Sequence, residues 1–242
     1  MKISIAQTKS IKGDISTNTK KHEKLIELAS LLKATSIFFP ELSLTSYEPT
    51  LAQNLATDQN DNRLDIFQKL SDKNKITIGI GLPTKSVKGI NISMVVFQPN
   101  QSIQTYSKQY LHSDELAYFE KGKEQLILTV DKKKIAPAIC YESLQPEHSE
   151  NSIRLGAEIY LASVAKSENG FNKAIKYYPE LAKKYSIPVL MANCTGYCDN
   201  FTSIGKSSVW SKKGALIGQL DENSEGLLIF NTETEEVTKK VV

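Results

Sequence analysis

Residues 134–144 read KIAPAICYESL. The apolar run from Ile135 to Ile139 ends on Cys140, with Glu142 and Ser143 close behind, so the stretch reads as a strand that delivers a thiol to its C-terminal end. Strand and helix signals then alternate: PEHSENSIRLG is predicted as helix, AEIYLASV as strand, FNKAIKYYPELAKKYS as helix and IPVLMAN as strand. Upstream, KISIAQ and SIFFPEL flank TNTKKHEKLIELASLLKAT, in which Leu25, Leu28, Ala29 and Leu32 recur at helical spacing, giving a β-α-β opening. A second helix is predicted over Asn62 to Asn74, through Leu64, Phe67 and Leu70, and it runs into the β-rich KITIGIGLP.

Between these alternating halves, NISMVVFQP, SIQTYSK and LILTV read as short strands separated by turn signals, two or three of which are expected to pair antiparallel. The tail, with SSVWS, GALIGQL and EGLLIF, reads the same way. Strands in both alternating and consecutive order point to a layered α/β fold with mixed sheets. No repeat, low-complexity segment or Gly/Ser-rich linker marks a boundary, so residues 1–242 are expected to form one domain.

The bulk properties exclude several function classes. The chain is 40% hydrophobic and 24% charged, as in an ordinary packed protein, and 30 basic against 27 acidic residues leave only +3. The lysines are spread out, and Lys132-Lys133-Lys134 reads as a solvated turn, so neither nucleic acid nor an anionic membrane is an expected partner. MKISIAQTKS has no apolar stretch of signal-peptide length and no other run resembles a membrane span, so a cytoplasmic location is expected. Three cysteines in a reducing compartment should be free thiols.

Metal and nucleotide signatures are missing. His22, His112 and His148 are far apart in sequence, and Cys194 and Cys198 form a lone C-x3-C, read as buried or loop thiols. The GIG at Gly79–Gly81 lacks a third glycine and reads as a strand end; no G-x-S-x-G elbow occurs. What remains are three groups placed where strands end: Glu41 after SIFFP, Lys108 after SIQTYS and Cys140 after KIAPAI. Singly, each has a plainer reading, as a turn cap, a surface lysine and a core thiol. Together they suffice for attack on a carbonyl or nitrile carbon, with a carboxylate as base, a thiol as nucleophile, and a lysine plus a backbone N–H at the oxyanion.

Taken in the order Glu, Lys, Cys, these segments resemble the carbon–nitrogen hydrolase family, also called the nitrilase superfamily. The resemblance runs through KISIAQ, FFPELSLTSYEP, YSKQYL, DELAYFEKG, AICYESLQPE, GAEIYLASVA, IPVLMANCTG and GKSSVWSKKGALIG, which is nearly the whole chain. It implies a four-layer αββα sandwich of two mixed sheets with outer helices, and pairing of two copies through helices on one outer face. It implies Glu41 as general base, Lys108 as oxyanion stabiliser together with the Tyr141 N–H, Cys140 as nucleophile and Glu115 as a second glutamate orienting the lysine. No metal or organic cofactor enters that chemistry. Glu142, where relatives carry an acid, is read as fixing the bend after the strand; Asn193 either lines the pocket or satisfies backbone groups.

Within the family, the membrane-bound acyltransferase branch, which needs membrane spans, and the glutaminase branch, which feeds an attached synthetase domain, are not expected for these 242 residues. Tyr141 after the cysteine and the short end argue against a true nitrilase. A small amide is therefore the expected substrate, with N-carbamoyl hydrolysis or nitrile hydrolysis as alternatives. A non-catalytic binding or redox-sensing protein on the same fold is the alternative of another class. Tyr47, Tyr118, Tyr141 and Ser163 are candidate pocket walls; Lys166 could meet a substrate carboxylate, against the plainer reading of a solvated lysine.

Overall fold

A computed structural model describes residues 1–58 and 60–242. In the segment Ile159–Val164, Ile159 and Leu161 point into one apolar cluster while Tyr160, Ala162 and Val164 point into another. Successive strand residues face opposite sides, so a strand apolar on both faces belongs to a sheet covered on both sides. Ile90–Phe97 repeats the pattern, with Ile92, Met94 and Val96 on one face and Val95 and Phe97 on the other.

In chain order the elements are β1 (Lys2–Gln7), α1 (Ile15–Leu31), β2 (Ser36–Phe38), α2 (Ala52–Leu55), α3 (Asp65–Asn74), β3 (Thr77–Lys85), β4 (Ile90–Phe97), β5 (Gln104–Ser107), β6 (Leu128–Val130) and β7 (Lys133–Ile139). The second half continues with α4 (Pro146–Arg154), β8 (Ile159–Val164), α5 (Glu168–Tyr185), β9 (Val189–Asn193), β10 (Thr195–Cys198), β11 (Phe201–Ile204), β12 (Ser208–Trp210), β13 (Leu216–Gln219), β14 (Gly226–Asn231) and β15 (Val237–Val241). Among the described residues one sheet has the order β15-β14-β1-β2-β3-β4-β5 and the other β13-β12-β9-β8-β7-β6, with β10-β11 as a separate hairpin. Both are mixed: β1, β2 and β3 are parallel, as are β7, β8 and β9, and the flanking pairs are antiparallel.

Side chains from both sheets, among them Ile5, Met94 and Phe230 from the first and Ile135, Leu161 and Leu190 from the second, meet in the central cluster. Outside the first sheet, Leu25, Ile26 and Ala29 of α1 and Phe67 and Leu70 of α3 cover Ile37, Ile78 and Val95. Outside the second, Phe171, Ala174, Tyr178 and Leu181 of α5 cover Ala138, Ala162 and Met191. This is the four-layer αββα arrangement that the resemblance implies. No helix among the described residues is long and apolar enough to cross a membrane.

Several elements depart from the sequence reading. NISMVVFQP and SIQTYSK pair antiparallel as β4 and β5 of the first sheet, as expected, but LILTV becomes β6 and pairs with β7 in the second. The hairpin β10-β11 closes through Asp199 and Asn200, with Asp199 at φ 45°, and neither its strands nor β15 stood out in the sequence. α1 begins at Ile15, because the Asp14 side chain accepts the Thr17 N–H at 3.0 Å, and the chain turns left-handed at Lys33 beyond its end. Gly79 and Gly81 lie inside β3 rather than at its end. A Cβ on Gly81 would stand 2.4 Å from the Pro40 carbonyl oxygen and 2.5 Å from the Leu42 nitrogen, so only glycine lets the loop carrying Glu41 lie flat against β3.

Leu161 is fully buried between the sheets. Leu161→Ala should lower the unfolding free energy in urea by about 2–5 kcal/mol, and a loss under about 1 kcal/mol would contradict a close-packed centre.

Candidate active site

β2 leads through Phe39 and Pro40 to Glu41, and the loop is tied to β3 by the Phe39 N–H to the Gly79 carbonyl and the Leu44 N–H to the Gly81 carbonyl, both 2.9 Å. β5 runs antiparallel to β4, which itself runs antiparallel to β3, so β2 and β5 end at the same edge and Lys108 emerges beside Glu41. The Lys108 backbone is clamped there: its N–H donates to Ile92 O at 2.8 Å and its carbonyl accepts the Gly122 N–H at 2.7 Å. β7 of the opposite sheet supplies Cys140 at the first residue of a tight helical turn, Cys140–Leu144. Cys140 sits at φ 49°, a left-handed conformation that costs a non-glycine residue free energy and that the surroundings must impose.

The Lys108 ammonium donates to Glu41 Oε1 at 2.7 Å and to Glu115 Oε1 at 2.6 Å. Glu115 in turn accepts the Tyr47 hydroxyl at 2.9 Å and, through Oε2, the His112 N–H at 2.7 Å. The three charged side chains are at most 2% exposed. Burial alone would lower the lysine pKa, but the two carboxylates outweigh it and hold Lys108 above its ordinary value. Burial raises Glu41, the Lys108 charge opposes that, and Glu115 adds to it. Among the described residues Glu41 Oε2 has no hydrogen-bond partner of ordinary geometry, and the Cys140 thiol stands close enough to pull the Glu41 pKa down by hydrogen bonding, so this carboxylate keeps an oxygen that can take a proton.

Cys140 is partly exposed, at a cavity of about 540 Å³ that Tyr47, Glu115, Tyr141, Lys166 and Phe201 also line. Burial, and then the Glu41 charge, push its thiol up to about 12 despite the opposing lysines 166 and 108. At rest the sulfur is therefore protonated, and any attack by it would need a base at the moment of reaction. A lysine has three donors, of which Lys108 uses two on carboxylates, leaving one for a developing oxyanion.

Glu142 links the two sides of the site. Its Oε1 accepts the Ile139 N–H at 2.7 Å and the Tyr106 hydroxyl at 2.6 Å, and its Oε2 accepts the Gln109 N–H at 2.6 Å. One buried carboxylate thus pins the bend before Cys140 and the loop after Lys108. Burial pushes its pKa up to about 7, against the pull of these donors. Behind it, Tyr106 meets His148 Nε2 at 2.9 Å and Tyr160 meets Nδ1 at 2.8 Å; burial holds His148 near 4, so the ring is neutral.

Not every expected wall lines the cavity. Tyr47 and Tyr141 do. Tyr118 is exposed and borders a different depression with Leu116 and Glu120. Ser163 is fully buried, donating to the Phe39 carbonyl at 2.7 Å, so it braces the Glu41 loop from β8 instead of facing substrate. Asn193 serves backbone groups, accepting the Lys166 N–H at 2.8 Å and donating to Gly205 O at 2.6 Å. Lys166 is only 4% exposed, which corrects the reading of a solvated lysine. Cys194 and Cys198 are buried free thiols with sulfurs 3.5 Å apart. Phe201, whose ring stands edge-on to Tyr47, comes from the hairpin that the sequence reading passed over.

Residues 2–239 match the family described as Carbon-nitrogen hydrolase. The chain belongs to the carbon–nitrogen hydrolase family. It is 26% identical to a glutamine-dependent NAD(+) synthetase of Aquifex aeolicus over 99% of its own length and 44% of the synthetase, so it spans less than half of that relative. It is 26% identical to a probable nitrilase of Schizosaccharomyces pombe, covering 83% of this chain and 76% of the relative. Two structures of the amidase from Nesterenkonia sp. AN1 share the fold at a TM-score of 0.87 and 21% identity, covering 95% of this chain and 89% of theirs. One carries the acetamide moiety of fluoroacetamide on its active-site cysteine, and the other is a complex with butyramide.

Because the Cys140 pKa lies well above the ordinary cysteine value, thiolate absorbance taken as the difference between the protein and Cys140→Ala should stay flat between about pH 6 and pH 10. A midpoint near or below about 8.5 would contradict the raised thiol pKa.

Proposed function

We propose that this hydrolase cleaves the C–N bond of a small amide through a thioester on Cys140. The observation that carries the reading is that Glu41 Oε2 has no ordinary partner among the described residues, while its other oxygen is held by Lys108 and the carboxylate interacts with Cys140. Glu41 takes the thiol proton as the sulfur bonds to the carbonyl carbon, and the carbonyl electrons move to oxygen. The third donor of Lys108 and the Tyr141 N–H meet that oxyanion. When the C–N bond breaks, Glu41 returns the proton to the nitrogen and ammonia or an amine departs. Glu41 next removes a proton from water, the hydroxyl attacks the thioester, and the sulfur leaves and is reprotonated.

Glu115 has a positioning role, since it holds Lys108 and is itself fixed by Tyr47 and the His112 N–H. Support for an amide over a nitrile comes from the fold shared with an amidase that holds butyramide; the similarity to a probable nitrilase keeps nitriles and N-carbamoyl compounds among the substrates to be tested. The match to a glutamine-dependent synthetase favours a second reading, in which the amide is glutamine and the ammonia is passed to another catalytic unit. Residues 1–242 acting as one domain, pairing of copies through the outer helices, where Ile175 and Leu155 are exposed, and a cytoplasmic setting belong to the same proposal.

Ammonia release should appear with one class among small aliphatic amides, glutamine, N-carbamoyl amino acids and nitriles, and vanish in Cys140→Ala. Glu41→Gln should lower kcat by about 10²–10⁴-fold and Lys108→Met by about 10²–10³-fold, with far-UV circular dichroism separating lost chemistry from the destabilisation that an unbalanced buried carboxylate brings. Release that survives in Cys140→Ala would reject the thioester route.

A further inference from the structure

Cys194 stands just before β10 and Cys198 ends it, and the proposed chemistry uses neither. Four residues along a straight strand span about 13 Å. The two sulfurs are nevertheless 3.5 Å apart and share a hydrogen bond. The chain folds back between them at Gly196, whose φ of 89° lies in the left-handed region open to glycine. Both side chains are buried in the central cluster, at 5% and 3% exposure. The hydrogen bond to Cys198, and then burial, hold the Cys194 thiol well above its ordinary pKa, so the pair rests reduced.

The two cysteines are anchored differently. The Cys194 carbonyl accepts the Ser203 hydroxyl at 2.8 Å and the Gly205 N–H at 3.0 Å, and the Thr195 N–H donates to Thr8 O at 3.0 Å. Cys198 leads instead into the turn of the hairpin, where the Asp199 N–H reaches Glu48 Oε1 at 3.2 Å and Tyr197 is 67% exposed. β10 and β11 form a two-stranded unit outside both large sheets, and such a hairpin is marginal by itself. Its tip is therefore the part that opens to admit a small molecule, and the part that moves if the sulfurs are drawn together.

That movement bears on the cavity. Cys194 and Cys198 share a narrow crevice with Glu41 and Tyr47. Just past the turn, Phe201 lines the cavity at Cys140, its ring 5.7 Å from that of Tyr47, and the Tyr47 hydroxyl donates to Glu115.

We propose that Cys194 and Cys198 are a redox modification site, at which a hydroperoxide forms a disulfide that draws the hairpin tip inward and narrows the Cys140 cavity. One sulfur attacks a peroxide oxygen, the O–O bond breaks, and water leaves as a sulfenic acid forms; the second sulfur then displaces its hydroxyl as water. In sum two S–H bonds and one O–O bond break and one S–S bond forms. The cysteines give up two electrons and two protons, and hydrogen peroxide becomes two waters. Closing 3.5 Å to a disulfide of about 2.05 Å brings the sulfurs about 1.5 Å nearer, and with Cys194 anchored the tip follows Cys198. Nothing in this device requires a particular C–N substrate.

The whole protein is treated with hydrogen peroxide, cleared with catalase, labelled with iodoacetamide and mapped after trypsin. Peptide 185–206, which holds both cysteines, should lose the mass of two hydrogens and resist labelling, and dithiothreitol should restore two labelled thiols. On the unoxidised fraction of peptide 135–154, labelling of Cys140 should be slowed at least about threefold by the treatment. Cys198→Ser and Cys194→Ser, checked for folding by far-UV circular dichroism, should show neither the loss of hydrogens nor the slowing. Two labelled thiols in peptide 185–206 after peroxide, or a disulfide formed with Cys140 instead, would overturn the site. A disulfide that leaves Cys140 labelling unchanged or faster would overturn its action on the cavity, and both readings come from the unsubstituted protein even if a serine variant fails to fold.

Discussion

The structure depends on one buried ammonium between two carboxylates. Lys108 contacts Glu41 and Glu115 at 2.7 and 2.6 Å with essentially no exposure of any of the three. Removing such charges from water costs several kcal/mol per ion, and close pairing with further hydrogen bonds is needed to offset it. Those further bonds come from Tyr47 and the His112 backbone. The loops after β2 and β5 and the turn at 112–115 must therefore arrive together, because truncating one member leaves the others buried with unbalanced charge. The same arrangement occupies one oxygen of Glu41 and leaves the second without an ordinary partner among the described residues.

Holding Cys140 against this cluster requires the opposite sheet. Cys140 leaves β7 in a left-handed conformation, and Glu142 stabilises that bend while reaching across to the backbone after Lys108. Ser163 performs a similar connection in the other direction, from β8 to the Glu41 loop. Gly81 supplies the close approach that a side chain would block. The site is thus a property of the packed sandwich: bonds within the first sheet hold Glu41 and Lys108 together, and Glu142 and Ser163 tie them to the second.

Much of this was legible because the chemistry stands where strands end. SIFFP, SIQTYS and KIAPAI each stop on a charged or nucleophilic residue, and their order carries the resemblance to the family. Helix spacing located α1, α3, α4 and α5, with ends displaced by local capping such as that of Asp14. What sequence could not reveal was pairing across long separations: β6 beside β7, and the β10-β11 hairpin that brings Phe201 to the cavity. Burial of a lysine was equally hidden. Lys166 looks like any solvated lysine until Asn193 and Ser203 are seen fixing its backbone. Ser163 and Tyr118 failed as pocket walls for the converse reason, since a residue type suited to binding says nothing about which face of the sheet it occupies.

The central claim is that the buried Glu41–Lys108–Glu115 cluster exists to make and break a thioester on Cys140. Acid quenching of the protein during turnover of an amide, followed by peptide mass mapping, tests it most directly. The account predicts an acyl mass on the peptide containing Cys140 and on no other, with hydroxylamine diverting that acyl group to a hydroxamate. Turnover with Cys140 unmodified and no hydroxamate formed would contradict it.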